Sequence, residues 1–516
     1  MTKPVKPPKP PKPPKPPIDP IPPVSLDPVL PQVFVDTVYA PPTGSIIHVA
    51  AGGNLQAALN NAQPGSRITL EKGTTFYGNF VLPAKAGSSY IYVETEGFSI
   101  PIGQRVVSPE GMASLSSSNF SPVLQTSFGA HHFRFVGIEI KAPGISIDTL
   151  IQLGDGSEAL INQPHHIIFD RCHIHGDISL GGKRGVSFQG SYLAVIDSRL
   201  TNWKRVGQDT QAIAGWNGAG PFKIVNNFIE GAGENVMFGG ADTVVANLTP
   251  SDIEISKNHF FKPLSWKVDD PSYGGVLWTI KNLLELKHAQ RVLISNNLLE
   301  NNWGGQGQVG FAVVFTGRNQ NGANPWACVN DVTFEFNELR NSSNVFNLLG
   351  QDFESGVPSA ISKRLKIANN IMTGIGPAPG SGVGIAFQVM SGYEDVNVDH
   401  NTMLHSGDTM MLDGLPSPRL RFTNNIVQHN KYGIKGSGFN SGNPSIAAFL
   451  PNSVITKNVL ATPVEQGWDP YYPPENYFPT TLEEVGFVDL IGGDLRLTPA
   501  SPYHNLATDG TDIGAI

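Results

Sequence analysis

The sequence predicts an all-β chain wound as a single-stranded parallel β-helix of about eleven or twelve coils, closed at its N-terminal end by a short capping helix. Three observations carry this expectation. One eight-residue pattern (apolar, x, apolar, x, x, Asn, x, apolar) recurs through most of the 516 residues. A second short apolar strand follows nearly every copy. Charged residues are scarce at 15%, while glycine (56) and proline (42) are abundant, which suits turns and short strands rather than a helical bundle or coiled coil. Hydrophobic residues at 40% are ample for a large core.

The first element is a proline-lysine segment, KPVKPPKPPKPPKPP at 3–17. Proline at this density enforces an extended polyproline II chain, and the lysines keep it solvated. It reads as a stiff spacer, with a recognition arm for an acidic or SH3-like surface as the sharper alternative. Prolines continue to Pro42, so residues 1–45 are expected to be spacer and 46–516 the packed domain. Residues 54–63, NLQAALNNAQ, follow as the capping helix. Leu55, Ala58, Leu59 and Ala62 share one face, Pro64-Gly65 ends the helix, and its place ahead of the first strands suits it to cover an open sheet edge. RITLEKGTTFYGNFVLP then alternates as strands do.

The repeat begins weakly with IIFDRCHI and LAVIDSRL, where Cys172 and Ser198 take the asparagine place. It continues as FKIVNNFI, IEISKNHF, VLISNNLL, VTFEFNEL, LKIANNIM, VNVDHNTM, LRFTNNIV and SVITKNVL. The asparagine column is Asn227, Asn258, Asn297, Asn337, Asn370, Asn401, Asn425 and Asn458. Spacings that vary from 24 to 40 residues exclude regular helical arrays and fit coils joined by turns of variable length. Coils stacked about 4.8 Å apart would let identical amides hydrogen-bond up the stack, so these asparagines are structural. Cys172 and Cys328 fall about five coils apart, roughly 24 Å, too far for a disulfide.

On these residues the chain resembles the right-handed parallel β-helix repeat proteins of the pectate-lyase-like superfamily, over roughly 46–516. The ending DLRLTPASPYHNLATDGTDIGAI is similar to the closing segment of many bacterial members. The resemblance implies the winding and its hand. It leaves activity open among lyases, hydrolases, epimerases, tailspikes and adhesins. Calcium, held by aspartates and backbone carbonyls, is the cofactor it brings into consideration, although the chain carries no calcium-binding repeat.

Chemistry is expected where the coils are longest. Six tryptophans lie between residues 203 and 326. Of these Trp216, Trp266, Trp278 and Trp303 are candidates to stack on sugar rings, or else to staple long loops onto the coil. Leu284-Glu285-Leu286-Lys287 alternates, so Glu285 and Lys287 project from one outer face. Aligning the strands at Phe238, Leu286, Phe315 and Leu348 adds Asp242, Gln290, Asn319 and Asp352 as a polar column, with Arg318 beside it. Such a strip suits a linear polymer; the plain alternative is a solvated salt-bridge face.

A uronate lyase needs a cation for the C5 carboxylate and a base for the neighbouring proton, roles open to Lys281, Lys287 and Arg318. LELKHAQ at 284–290 resembles the LRHG stretch of the alginate-lyase and chondroitinase B group, with Lys287 in the arginine place. That group's second basic residue, after a Gly-Glu pair, has no counterpart after Gly233-Glu234. A glycosidase needs two carboxyls closer than the roughly 14 Å separating Asp242 from Asp352. Glu285 with Glu234 or Asp242 is the freer pairing. Asp269-Asp270 resembles the adjacent aspartates of polygalacturonases, without their other motifs. HIHGD at 173–177 places His173 and His175 on one face with Asp177 following, and QPHH at 163–166 adds more imidazole.

The expectation is therefore an extracellular polysaccharide-binding or polysaccharide-degrading solenoid, with Lys287 as base, Arg318 as carboxylate clamp and Glu285 beside them. Hydrolysis is the alternative, and a non-catalytic adhesin, fibre or tailspike is a further one. The net charge of −8 argues against nucleic acid as a partner, and no apolar run is long enough to span a bilayer.

Overall fold

The structure, a computed structural model, describes residues 27–305, 307–376 and 383–516. Among them, three parallel sheets of 14, 13 and 12 strands run the length of the molecule. The chain visits them in strict rotation from Arg67–Leu70 to Ile434–Gly436, which makes twelve complete coils. The winding is a right-handed parallel β-helix, as the repeat count anticipated. The antiparallel exception among named strands is a hairpin of Phe487–Asp489 with Asp494–Leu497 near the C-terminus.

Alternation in each strand sends one set of side chains into a continuous apolar core. Phe133, Phe169, Phe188, Phe222, Phe238 and Phe315 are among its fully buried members. The corner between the first and second sheets explains the repeat. The residue before each ladder asparagine adopts a left-handed backbone, as at Asn226 (φ 58), Lys257 (φ 58), Asn296 (φ 57) and Phe336 (φ 55). This sharp turn swings the next side chain inward. Asn227, Asn258, Asn297, Asn337, Asn370, Asn401, Asn425 and Asn458 then bond in sequence, each Nδ2 donating to the next Oδ1 at 2.9 to 3.1 Å. Ser198 and Cys172 extend the column in the other direction. The Ser198 backbone N–H donates to Asn227 Oδ1 (2.8 Å), and that of Cys172 donates to Ser198 Oγ (2.9 Å). Asn476, which lies outside the eight-residue pattern, closes the far end. Cys172 and Cys328 are both buried free thiols.

Both ends of the stack are covered. The helix Leu55–Asn61 is capped by Asn54, whose side chain accepts from Ala57 N–H (2.9 Å). Its buried residues Leu55, Ala58 and Leu59 seal the first coil. Gln56 bonds both the N–H and the carbonyl of Val81, satisfying the otherwise open edge of the third sheet. At the other end, Val485, Leu497, Tyr503 and Ile513 of the closing segment pack on Ile426, Val459 and Ala461 of the second sheet.

Residues 27–45 belong to the stretch read from sequence as spacer. In the structure they form an extended strap along the outer face of the first sheet, so packing begins before Ile46. Val29 N–H donates to Asp331 (3.0 Å) and Gln32 N–H to Asp252 (2.8 Å). Val35 is buried against Ile168, Ala194 and Ile196. Buried Arg134 donates to the carbonyls of Thr37 and Val38, and the Tyr92 hydroxyl reaches that of Ala40. The lysine-proline repeat itself lies outside the described residues.

Candidate functional site

The third sheet carries the candidate site on its outer face. The strand alignment inferred from sequence is the register found: Phe238 pairs with Leu286, Leu286 with Phe315, and Phe315 with Leu348. With those anchors turned inward, Glu285 faces out, in line with Val314 and Asn347 on the next two coils. Just past the anchors the chain turns a corner, where Lys287 N–H bonds the Phe238 carbonyl (2.7 Å) and Arg318 N–H the Lys287 carbonyl (2.8 Å). The two cations therefore stand on adjacent coils.

These groups line one polar pocket of about 250 Å³, together with Lys281, Asn347 and Glu354. Lys287 Nζ lies 3.5 Å from Glu285 Oε1. Arg318 Nη1 is held by Asp352 (3.1 Å) and Glu354 (2.8 Å). Lys281 Nζ sits 2.8 Å from Glu234 and 2.8 Å from Asp209. Glu234, fully buried, also accepts from Gln211 Nε2 (2.8 Å), and Gln211 in turn accepts from Arg184 (3.3 Å). A line of charged and amide groups thus crosses several coils. Burial raises the Glu234 carboxyl above its ordinary range, and the nearby Glu285 charge raises it further. Burial works against the Lys281 ammonium, but Glu234, Glu285 and Asp209 overcome it and hold its pKa above the usual value. Glu285 Oε2 and Asn347 Oδ1 are buried and without a protein hydrogen-bond partner. Each lines the pocket, and each leaves an acceptor for a bound donor.

Behind Glu234, the ammonium of Lys262 donates to the carbonyls of Gly231 (2.5 Å), Ala232 (2.9 Å) and Gly233 (3.2 Å). This fixes the turn that delivers Glu234 to the pocket wall. Burial pulls the Lys262 pKa down to about 7.

The shape of the chain has solved counterparts. A mannuronic acid-specific polysaccharide family 6 lyase from human gut microbiota superposes with a TM-score of 0.53 at 14% identity, covering 84% of this chain and 91% of that one. A thermostable GH87 α-1,3-glucanase from Streptomyces thermodiastaticus gives 0.47 at 13% identity, covering 86% of this chain and 72% of that one. At 14% identity the likeness to the lyase is one of fold. No family model matches the chain, and no curated protein sequence matches it.

Other residues singled out from sequence lie elsewhere. Trp266, Trp278 and Trp303 are buried with Ala232 and Ile280 in an apolar cluster of their own. The Lys204 ammonium sits over the rings of Trp266 (5.3 Å) and Trp278 (4.9 Å), so these indoles staple the long 262–282 loop to the coil instead of presenting faces to a sugar. Trp216 is half-buried under the Arg184 guanidinium (4.9 Å) and is not among the pocket's lining residues.

The proposed polar column of Asp242, Gln290, Asn319 and Asp352 does not form a strip. Strands of the third sheet end at or one residue past their anchors, so four residues on each chain has already turned. Asp242 receives the N–H groups of Asn321 and Ala323, Gln290 sits in the first sheet against Ser251, and Asn319 is buried between loops. Asp352 reaches the pocket only through Arg318. Asp270 caps its own turn at Ser272 and is not among the pocket's lining residues. Sequence reasoning overlooked other pocket members, among them Asn347 and Glu354; Asn347 had a signal available, since it shares the outward register of Glu285.

His173 and His175 do share a face, but their carboxylate is Glu139 of the preceding coil, 3.1 Å from His175 Nε2. Asp177 instead accepts from Ser179, Leu180 and Gly144 N–H groups. Glu139, His173 and His175 could hold a metal ion, yet Lys141 Nζ already lies 2.5 Å from Glu139. Burial opposes the Glu139 charge, but His175, Lys141 and Ser114 hold its pKa down to about 2. The imidazoles make this donor set foreign to calcium, which takes oxygen ligands.

Proposed function

We propose that the protein is an extracellular enzyme that cleaves an acidic polysaccharide by β-elimination at the Glu285–Lys287–Arg318 pocket. The observation that supports this reading is the convergence of Lys281, Lys287 and Arg318 on one polar cavity whose Glu285 and Asn347 carry unpartnered acceptors. A uronate brings one carboxylate and several hydroxyls, the complements of those groups. Arg318, anchored by Asp352 and Glu354, is the clamp that neutralises the C5 carboxylate and so acidifies the adjacent proton. Lys287, oriented by Glu285, removes that proton as the bond from C4 to its glycosidic oxygen breaks. The electron pair of the C5–H bond becomes the C4–C5 double bond, the C4–O pair leaves on the glycosidic oxygen, and that oxygen takes its proton from water or from the Lys287 ammonium so formed. Lys281 stays charged between Glu234 and Asp209 and contributes positive potential.

A hydrolase would need two free carboxyls in the pocket. Glu234 is engaged by Lys281 and Gln211, and Glu354 by Arg318, which favours elimination. An extracellular location follows from the substrate class. Among the described residues no helix is long and apolar enough to cross a membrane.

The test is a panel of acidic glycans, beginning with polymannuronate, followed by ultraviolet absorbance of the unsaturated uronate. The expected result is product formation that Lys287→Ala abolishes while circular dichroism stays unchanged. Retained turnover in Lys287→Ala removes the assigned base. Reducing ends without unsaturation would mean hydrolysis, and binding without any product would mean a non-catalytic solenoid.

A further inference from the structure

Outside the pocket, the first sheet carries an imidazole block that the proposed reaction does not use. His131 and His132 on one coil stand beside His165 and His166 on the next, with His131 paired in register to His165. Consecutive strand residues normally face opposite sides of a sheet. Here His132 (φ 58) and His166 (φ 54) adopt the left-handed backbone, which turns both members of each pair to the same outer face. The rings stack across coils at 4.6 Å for His131 with His165 and at 4.4 Å for His132 with His166. Within each coil the Nδ1 atoms meet, at 2.7 Å for His131 with His132 and 2.8 Å for His165 with His166.

The same backbone column shows what is unusual about this block. Farther along the sheet its left-handed positions are filled by opposite charges in pairs: Asp252 with Arg291 (2.8 Å), Asp331 with Arg364 (2.5 Å) and Asp395 with Arg419 (2.5 Å). At the histidine coils the flanking residues are instead Tyr90, edge-on to His132, and Tyr192, stacked on His166 at 4.2 Å. The imidazoles face one another without a counter-charge from this column. At 2.7 and 2.8 Å each Nδ1 contact has room for a single hydrogen, so one ring of each pair presents its Nδ1 lone pair to the other. One donor atom each from His131, His132 and His165 lies within 4.8 Å of the others, and His166 adjoins His165.

We propose that His131, His132 and His165, with His166 beside them, form a binding site for one borderline divalent transition-metal ion of the zinc or copper(II) class, which clips two successive coils together. Imidazole nitrogen is the donor such ions prefer, while calcium and magnesium prefer oxygen. Metal–nitrogen bonds of about 2.0–2.1 Å require that the Nδ1 pairs open by roughly half an ångström and that the stacked rings of successive coils tilt toward a common ion. The site lies on the first sheet and is independent of the glycan reading.

The test uses the full tag-free chain, stripped with a chelator and titrated calorimetrically with zinc chloride and copper(II) chloride. Saturable binding of one equivalent is expected, and the copper(II) electron paramagnetic resonance spectrum should show hyperfine coupling to several nitrogens. The double substitution His131→Gln with His165→Gln should weaken binding at least about tenfold, while His175→Gln leaves it unchanged. The copper spectrum of the native chain decides the matter even if the double variant fails to fold. Absence of saturable binding, a spectrum of oxygen ligands only, or unchanged affinity in the folded double variant would overturn the proposal. Loss in His175→Gln alone would move the ion to Glu139, His173 and His175 and overturn it equally.

Discussion

Replacing Asn297 by alanine tests the asparagine ladder at its centre. The side chain makes four hydrogen bonds in the core. Its Oδ1 accepts from the backbone N–H of Asn258 (2.9 Å) and from Asn258 Nδ2 (3.1 Å). Its Nδ2 donates to Asn337 Oδ1 (2.9 Å) and to the Ile255 carbonyl (3.0 Å). In Asn297→Ala, Asn337 Oδ1 keeps the backbone N–H of residue 297, but the Asn258 N–H and one Asn258 amide hydrogen lose their acceptor. Asn258 and Asn297 are both buried, so water does not replace it. Each orphaned buried donor costs about 1–3 kcal/mol, which predicts a loss of roughly 2–6 kcal/mol. Serine restores one acceptor, as Ser198 Oγ does for the Cys172 N–H, so Asn297→Ser should be milder than alanine. Equilibrium urea denaturation reads both, with exposed Asn60→Ala as a control expected within about 0.5 kcal/mol of the parent. A cost below about 1 kcal/mol for alanine, or alanine no worse than serine, would refute the claim that the ladder stabilises the stack.

Two further outcomes follow from burial. His405 is buried with Nδ1 against the Gly384 carbonyl (3.2 Å) and Nε2 facing the Gln428 N–H (3.2 Å), an arrangement for the neutral ring, and burial lowers its pKa to about 4. His288 and His429 are likewise lowered to about 4 by burial. The unfolded chain therefore binds protons first, and stability present above about pH 6.5 should fall as the pH drops toward 4, by about 2 kcal/mol per histidine at pH 5. A melting temperature that stays flat between pH 7 and 5 would contradict this. Trp266→Ala should cost about 3–5 kcal/mol of stability by opening the Trp266–Trp278–Trp303 cluster. At a temperature where the variant is folded it should leave glycan affinity unchanged, whereas a selective loss of affinity would return that tryptophan to the binding surface.

The sequence by itself determined the winding. A fixed eight-residue pattern dictates which side chains turn inward in every coil, and alternation within a strand is a local property that needs no knowledge of the rest of the chain. That is why the register through Phe238, Leu286, Phe315 and Leu348 was readable, and with it the outward aim of Glu285 and the neighbouring place of Lys287. Only the tertiary structure decided what lies beyond the strand ends. Asp242 and Gln290 share a sequence offset, yet the chain turns the corner between anchor and side chain, so one closes a loop and the other joins a different sheet. The tryptophans of the long loop looked like a binding face because composition does not reveal that Lys204 and one another would bury them. Lys281 reaching Glu234, the strap bound by Asp252 and Asp331, and two histidine pairs brought ring to ring all depend on contacts between residues far apart in the chain. Strand periodicity fixes direction at short range, whereas turns of variable length set these long-range neighbours, and no local pattern encodes where such a turn will end.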